Sequence, residues 1–112
     1  MSNSIEPGHW DFDPGIVHHF SDGVYAKQAK LPAGSEVLKH KHSYSHLSIL
    51  ASGRVIVSAE GQEDTEYVGP ACIEIRAGVH HSVRAIEDSV WFCIHATDET
   101  DPDKVDEVLI SK

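Results

Sequence analysis

The sequence has no long apolar run and few basic residues, and each shortage excludes a class of protein. Its most apolar stretch, residues 47–57, is interrupted by Ser, Gly and Arg and is shorter than the roughly 20 residues that span a bilayer. Residues 1–13 contain neither a basic nor an apolar segment, so we expect no signal peptide. Nine Lys and Arg stand against 18 Asp and Glu, a net charge of -9 that disfavours a phosphate backbone. We therefore expect neither a membrane nor a nucleic acid as partner.

Cysteine is also scarce. Cys72 and Cys93 lie in apolar segments and do not form a CxxC pair. Two buried free thiols are typical of a reducing compartment, so we expect a cytoplasmic protein. The alternative is a disulfide between Cys72 and Cys93.

What the chain does contain is enough apolar sequence for one core. It has 112 residues, of which 40% are hydrophobic, and we interpret residues 1–112 as one domain. Turn residues separate short apolar segments without long helical periodicity, which predicts an all-β sandwich or barrel over about residues 24–96. The strand candidates are residues 24–31, 37–42, 47–50, 54–59, 66–68, 72–76, 81–86 and 90–96.

Residues 1–23 are rich in Pro, Gly, Asp and aromatic side chains. This composition predicts an extended N-terminal arm that covers the barrel or pairs as an edge strand. We expect burial of three aromatic side chains to anchor it, those of Trp10, Phe12 and Phe20.

The C-terminal tail, residues 97–112, has a different pattern. Asp101 followed by Pro102 is typical of a helix N-cap with proline at the first helical position. The apolar residues at positions 105, 108 and 109 then share one helical face. A short C-terminal helix packed on the barrel is predicted.

The chain has nine histidines, and their placement is ordered. His40 and His42 are two residues apart in a strand candidate, so their side chains share a face. His46 keeps that parity if the strand continues, and antiparallel pairing could bring His81 opposite. Clustered imidazoles at such spacing indicate a divalent metal site. The alternative is a solvent-facing polar hairpin, which is the simpler interpretation of an isolated HxH pair.

Residues 34–53 read G-SEVLK-H-K-H-SYS-H-LSILAS-G, which resembles the first cupin motif, G-x5-H-x-H-x3,4-E-x6-G. Every spacing agrees, and the one substitution is His46 at the glutamate position. Residues 69–85 resemble the second motif, G-x5-P-x-G-x2-H-x3-N, less closely. The segment after Gly69 is one residue longer, Arg76 replaces the proline, and Ala85 replaces the asparagine. The Gly78-x2-His81 core is intact.

The resemblance to the cupin superfamily implies a double-stranded β-helix, or jelly-roll, barrel with a mononuclear metal near one mouth. It places His40, His42 and His81 at the three histidine ligand positions and His46 at the glutamate position, where ligation or a pocket-lining role is expected. Four neutral imidazoles would leave the +2 charge of the metal uncompensated, which favours anionic ligands. The donor set does not choose among Fe, Ni, Zn, Cu, Co and Mn.

His95 lies in the last strand candidate, on the same face as Trp91 and Cys93. If that face is inward, His95 is a candidate catalytic acid–base group; the alternative is a structural histidine. His80 must point away from His81 and is expected on the exterior. We interpret the histidines of the arm, at positions 9, 18 and 19, as surface residues. Tyr25 and Tyr44 are weaker candidates for the pocket.

The resulting functional prediction is a small metal-binding cupin. We expect an enzyme acting on a small oxygen-rich or aromatic anion, either as a dioxygenase or as a redox-neutral isomerase or cyclase. The alternatives are a non-catalytic module that binds a small molecule or a metal, and a structural metal in a closed tetrahedral site. A homodimer is expected, because a barrel this small gains stability by covering its edges.

Overall fold

Turn residues divide the chain into short strands. The computed structural model describes residues 12–39 and 44–105, and this part contains nine β-strands. Their bounds are β1 Val17–Ser21, β2 Val24–Leu31, β3 Glu36–Lys39, β4 His46–Ser52, β5 Arg54–Ala59, β6 Thr65–Val68, β7 Ala71–Ile75, β8 His81–Ala85 and β9 Ser89–Ala96.

The strands form two antiparallel sheets. The larger sheet has the order β1-β2-β9-β4-β7, and the smaller has the order β3-β8-β5-β6. The last strand, β9, therefore lies at the centre of the larger sheet, between β2 and β4. Consecutive strands often belong to different sheets, and this arrangement agrees with the predicted jelly-roll architecture.

Alternation along each strand directs one row of side chains into the space between the sheets. On β9 every second residue from Ser89 to His95 is buried. On β4 the buried residues are His46, Ser48 and Leu50. The apolar part of the interior comprises Ala29, Leu31, Val37, Leu50, Val55, Val57, Ile73, Ile75, Val83, Ala85, Trp91 and Cys93.

The predicted N-terminal arm contributes an edge strand. β1 pairs with β2 at the margin of the larger sheet. Phe12 packs against the main core, and Phe20 packs against buried Tyr25. Two of the three predicted aromatic anchors are thus partly buried, whereas Trp10 lies outside the described residues.

The tail shows the predicted start of a helix but not the helix itself. The Asp103 amide donates to Asp101 Oδ1 at 2.8 Å, and the Val105 amide donates to the Asp101 carbonyl at 3.0 Å, as an N-cap requires. Val105 is buried against Tyr25. Residues 106–112, which would complete the helix, lie outside the described part. No helix among the described residues is long and apolar enough to span a membrane.

Gly53 ends the first cupin-like motif and joins β4 to β5. Its φ of +98° lies in the left-handed region that favours glycine. A Cβ at this position would collide with Ser89 Oγ and lie only 2.6 Å from the carbonyl oxygen of Asp88. The glycine therefore permits close approach between the β4–β5 turn and the start of β9.

Candidate metal and ligand site

Three histidines are buried in the interior of a barrel whose core is otherwise mostly apolar. The exposed fractions of His46, His81 and His95 are 8%, 6% and 6%. His46 is the first residue of β4, His81 is the first residue of β8, and His95 is near the end of β9. Imidazoles are rarely buried without partners, since desolvation of their polar atoms costs free energy. The end of the interior where His46 and His95 are in ring contact is therefore the candidate site.

The three histidines belong to both sheets and lie at the same end of the barrel. His81 pairs with Lys39, the last residue of β3, in the smaller sheet. His46 begins β4 in the larger sheet. The start of β5, the start of β9 and the end of β8 meet at the other end, where the Arg54 amide donates to Ser89 Oγ at 3.1 Å and the Ile86 amide donates to the Arg54 carbonyl at 2.8 Å. That end is closed by apolar side chains such as Leu31, Leu50 and Val55.

One row of side chains across the larger sheet carries the aromatic part of the site. Tyr25 lies opposite His95 in the β2–β9 register, and His46 follows in β4 beside Ile75 of β7. The ring centroids of His46 and His95 are 4.3 Å apart, and those of Tyr25 and His95 are 6.3 Å apart. Backbone register thus brings two histidines from distant parts of the chain into ring contact.

The ring nitrogens of His81 are distinguishable by their surroundings. Its Nδ1 lies 3.0 Å from the Val79 carbonyl oxygen, which can only accept a hydrogen bond. In the neutral imidazole, this contact assigns the proton to Nδ1 and the lone pair to Nε2. Metal-bound histidines have this arrangement, in which a backbone carbonyl fixes the tautomer. In His46, Nδ1 lies 3.3 Å from the Leu47 carbonyl, a longer contact of the same kind.

Tyr44 lies on the loop before β4 and contacts the same cluster. Its Oη is 3.0 Å from His95 Nδ1, and its ring meets the His95 ring edge-on at 5.9 Å. Burial, followed by the charge of neighbouring Cys93, raises the pKa of Tyr44 to about 12. The phenol consequently keeps its proton throughout the physiological range.

The next layer of inward side chains, adjacent to the histidines, is less polar. Ser48 is opposite Cys93 in the β4–β9 register, and its hydroxyl donates to Cys93 Sγ at 3.7 Å. The Trp91 indole N–H donates to the same sulfur at 3.3 Å. Cys72 is exposed on β7 and also free, so the possible disulfide between the two cysteines is not formed. Cys93 instead forms part of the floor below His95.

The structure describes two of the four predicted metal ligands, His46 and His81. His40 and His42 lie outside the described residues. The premise that one strand runs on through Ser45 to His46 is wrong, because Tyr44 and Ser45 are not in a strand and β4 starts at His46 in the other sheet. Within residues 12–39 and 44–105, no group of three or more His, Cys, Asp or Glu is suited to hold a metal ion.

The structure also tests the predictions made for the other described histidines. The face of β9 that carries His95 is inward, as the pocket hypothesis required. His80 and His19 are exposed, as expected. His9 lies outside the described residues. His18, on the edge strand, is partly buried, and its Nδ1 lies 2.7 Å from Tyr25 Oη, a contact that the surface interpretation did not include. Alternation could have found it, since His18 shares a strand face with Phe20, a predicted anchor.

No protein-family model matches the sequence, and no curated protein matches it. Solved structures do match. The cupin domain of Cnp3 from Schizosaccharomyces pombe is 17% identical with a TM-score of 0.64, covering 84% of this chain and 70% of that one. A cupin superfamily protein from Desulfitobacterium hafniense is 13% identical with a TM-score of 0.63, covering 78% and 82%.

Another similar structure is salicylate 1,2-dioxygenase from Pseudoaminobacter salicylatoxidans, described as adducts with gentisate. It is 16% identical with a TM-score of 0.64, and the match covers 72% of this chain and 24% of that one. Identities this low establish the architecture and leave the activity open. The strand order, the two antiparallel sheets and these similarities together show that the chain has the cupin fold.

Proposed function

We propose that this protein is a metal-dependent cupin enzyme that acts on a small oxygen-rich or aromatic anion. The observation that supports this most directly is the set of buried histidines at one end of the barrel, with His46 and His95 in ring contact. His81 adds an Nε2 whose lone pair is available for a cation, since its Nδ1 faces a carbonyl.

In this proposal, one divalent transition metal is held by His40, His42, His46 and His81. His46 and His81 are buried, which supports their place in this set. His40 and His42 lie outside the described residues and enter the set through the motif resemblance.

The chemistry of the site follows from its charge. Four neutral imidazoles leave the metal charge uncompensated, so an anion gains more here than at a site with a carboxylate ligand. When bound, the metal supplies a Lewis acid with coordination positions for a substrate oxygen. The buried ring of Tyr25 and the partly buried ring of Tyr44 both contact His95 at this end of the barrel. A flat, oxygen-rich anion suits such surroundings.

Two reaction classes remain within this proposal. Dioxygenation is favoured by the similarity to a salicylate dioxygenase, whose name gives a hydroxylated aromatic carboxylate as its substrate. Redox-neutral isomerisation or cyclisation uses the same Lewis-acid centre without oxygen. The second candidate function is a non-catalytic cupin module that binds a metal or a small molecule.

Metal binding is tested first, on full-length protein without an affinity tag. We expect one Zn²⁺ or Co²⁺ per chain by isothermal titration. The His81→Ala and His46→Ala variants should each bind at least about tenfold more weakly, since each loses a metal ligand. His80→Ala is the matched control, because His80 is adjacent in sequence but exposed. Unchanged stoichiometry and affinity in His46→Ala would show that His46 is not a ligand.

Oxygen consumption then separates the reaction classes. Protein loaded with Fe²⁺ is mixed with salicylate or gentisate in an oxygen electrode, with His81→Ala as control. Turnover that depends on His81 supports the dioxygenase. A centre that retains only Zn²⁺ and consumes no oxygen contradicts it and leaves the redox-neutral class. A protein that binds no metal at all refutes the enzyme proposal.

We also propose a homodimer and a reducing compartment. Leu47 and Ile49 on the outward face of β4 are 49% and 37% exposed, which supports association through the larger sheet. Light scattering should give twice the chain mass of 12.3 kDa. The free thiols of Cys72 and Cys93 support a cytoplasmic location, which cell fractionation tests.

A further inference from the structure

A small cavity lies at the end of the barrel opposite the buried histidines. It has a volume of about 360 Å³ and is formed where β2 and β4 end and β9 begins. His46 and His95 lie at the other ends of β4 and β9. The volume of the cavity is within the range of small-molecule sites in proteins. None of its lining residues belongs to the proposed metal site.

Part of the cavity lining is apolar and held in place by the barrel. Leu31 is only 2% exposed, and Val90 is partly buried. Pro32 follows Leu31 directly and also lines the cavity. The wall beside Val90 is fixed by Ser89, whose Oγ accepts a hydrogen bond from the Arg54 amide at 3.1 Å. A preformed apolar lining of this kind favours an aliphatic group, because burying that group removes apolar surface from water.

Two side chains of opposite charge line the same cavity, those of Lys30 and Asp88. Asp88 Oδ1 accepts a hydrogen bond from the Ala33 amide at 2.9 Å, which orients the carboxylate. The Lys30 amide donates to the Pro14 carbonyl at 2.7 Å, which fixes the backbone from which the lysine side chain extends. Within residues 12–39 and 44–105, no ion pair joins Lys30 to Asp88. Both charges therefore remain available to a ligand.

We propose that this cavity binds a small zwitterion with an aliphatic side chain, which is the chemistry of an apolar α-amino acid. Its carboxylate would pair with Lys30 and its ammonium group with Asp88. Its side chain would pack on Leu31, Pro32 and Val90. The net charge of -9 repels a ligand that carries only negative charge, whereas a zwitterion has no net charge to repel. This site is separate from the proposed metal centre and does not depend on it.

The probe is L-leucine, and the signal is the ¹⁵N–¹H correlation spectrum of full-length, metal-free protein. We expect saturable shifts concentrated at the amides of Leu31, Ser52, Asp88 and Val90. The affinity should be millimolar, because exposed charges each contribute little. Two analogues separate the charges: 4-methylpentanoate lacks the ammonium group, and 3-methylbutylamine lacks the carboxylate. Each should bind about fivefold more weakly than L-leucine. L-Alanine should bind about tenfold more weakly, since it buries less apolar surface.

Two variants remove one charge each and keep the rest of the side chain. Lys30→Met retains the apolar stem, and Asp88→Asn retains an oxygen that accepts from the Ala33 amide. Each should weaken L-leucine binding about fivefold. Lys30→Met should then no longer distinguish L-leucine from 3-methylbutylamine, and Asp88→Asn should no longer distinguish it from 4-methylpentanoate. Lys104→Met and Asp64→Asn are the matched controls, because both side chains are exposed and neither residue lines the cavity.

The proposal can fail in the wild-type protein alone. It is wrong if L-leucine gives no saturable shifts or shifts that spread over the whole surface. It is also wrong if 4-methylpentanoate binds as tightly as L-leucine, because the ammonium group is then not recognised. Unchanged L-leucine affinity in natively folded Lys30→Met and Asp88→Asn would likewise overturn it. No metal is present in these measurements, so a failure of the metal centre does not affect them.

Discussion

The direction of the side chains on β4 decides whether His46 faces the interior, and it can be tested by stability. Leu50 shares the inward row of His46 and is completely buried, whereas Leu47 on the same strand is 49% exposed. Leu50 lies opposite Trp91 and Ala71, so its truncation leaves a cavity between the sheets. We expect Leu50→Ala to lower the free energy of unfolding by about 3 kcal/mol, from lost transfer energy plus the cavity.

Leu47→Ala is the matched control. It removes the same atoms from a half-exposed site and should cost less than about 1 kcal/mol. Urea denaturation followed by tryptophan fluorescence and circular dichroism gives both values, with a chelator present so that metal binding does not contribute. In a thermal scan the Leu50 variant should melt roughly 12 °C lower, at about 4 °C per kcal/mol. If Leu47→Ala proves the more costly change, β4 is inverted and His46 points outward, which would refute the site.

Two further predictions concern a turn and the cysteines. Gly53→Ala should destabilise the protein by more than about 2 kcal/mol for two reasons. The new Cβ would collide with Ser89 and the Asp88 backbone, and alanine is also unfavourable at a left-handed φ. Gly61→Ala, at φ +78° with open space around it, should cost about 1 kcal/mol in the same urea assay. In native protein a thiol reagent should label exposed Cys72 rapidly and buried Cys93 only after unfolding, as mass spectrometry of the labelled peptides would report.

Each of these has an outcome that contradicts it. If Gly53→Ala and Gly61→Ala lose the same free energy of unfolding, the close approach of the β4–β5 turn to β9 does not constrain the fold. Rapid labelling of both cysteines in native protein would place Cys93 at the surface. A native protein with no free thiol would instead indicate the disulfide that the structure excludes.

Much of the barrel could be predicted because glycine and proline turns separate its strands. The candidates at residues 24–31 and 54–59 coincide with β2 and β5, and those for β6 to β9 are correct to within one residue at each end. The inward position of His46 follows from the alternation of β4, but the predicted strand began at residue 47 and left His46 out. These are local properties, and the alternation of apolar and polar side chains along a strand indicates them.

The relations between strands could not be predicted in the same way. His46 and His95 are 49 positions apart in sequence, and only the β4–β9 register makes their rings neighbours. The inward face of β9 was ambiguous, because Phe92 and Ile94 alternate with Trp91 and Cys93 and both rows look apolar. The larger sheet has apolar residues on its outer face as well, so hydrophobicity alone did not distinguish inside from outside.

The central position of β9 has a consequence for how the protein forms during synthesis. Both β2 and β4 pair with this last strand, so the larger sheet cannot close until residues 89–96 have left the ribosome. Until then β1–β2 is a hairpin separated from β4–β7 by an open gap with unpaired edges, a state prone to association with other chains. His95 arrives with the strand that fills the gap. The ring contact between His46 and His95 consequently forms only in a chain whose last described strand has paired.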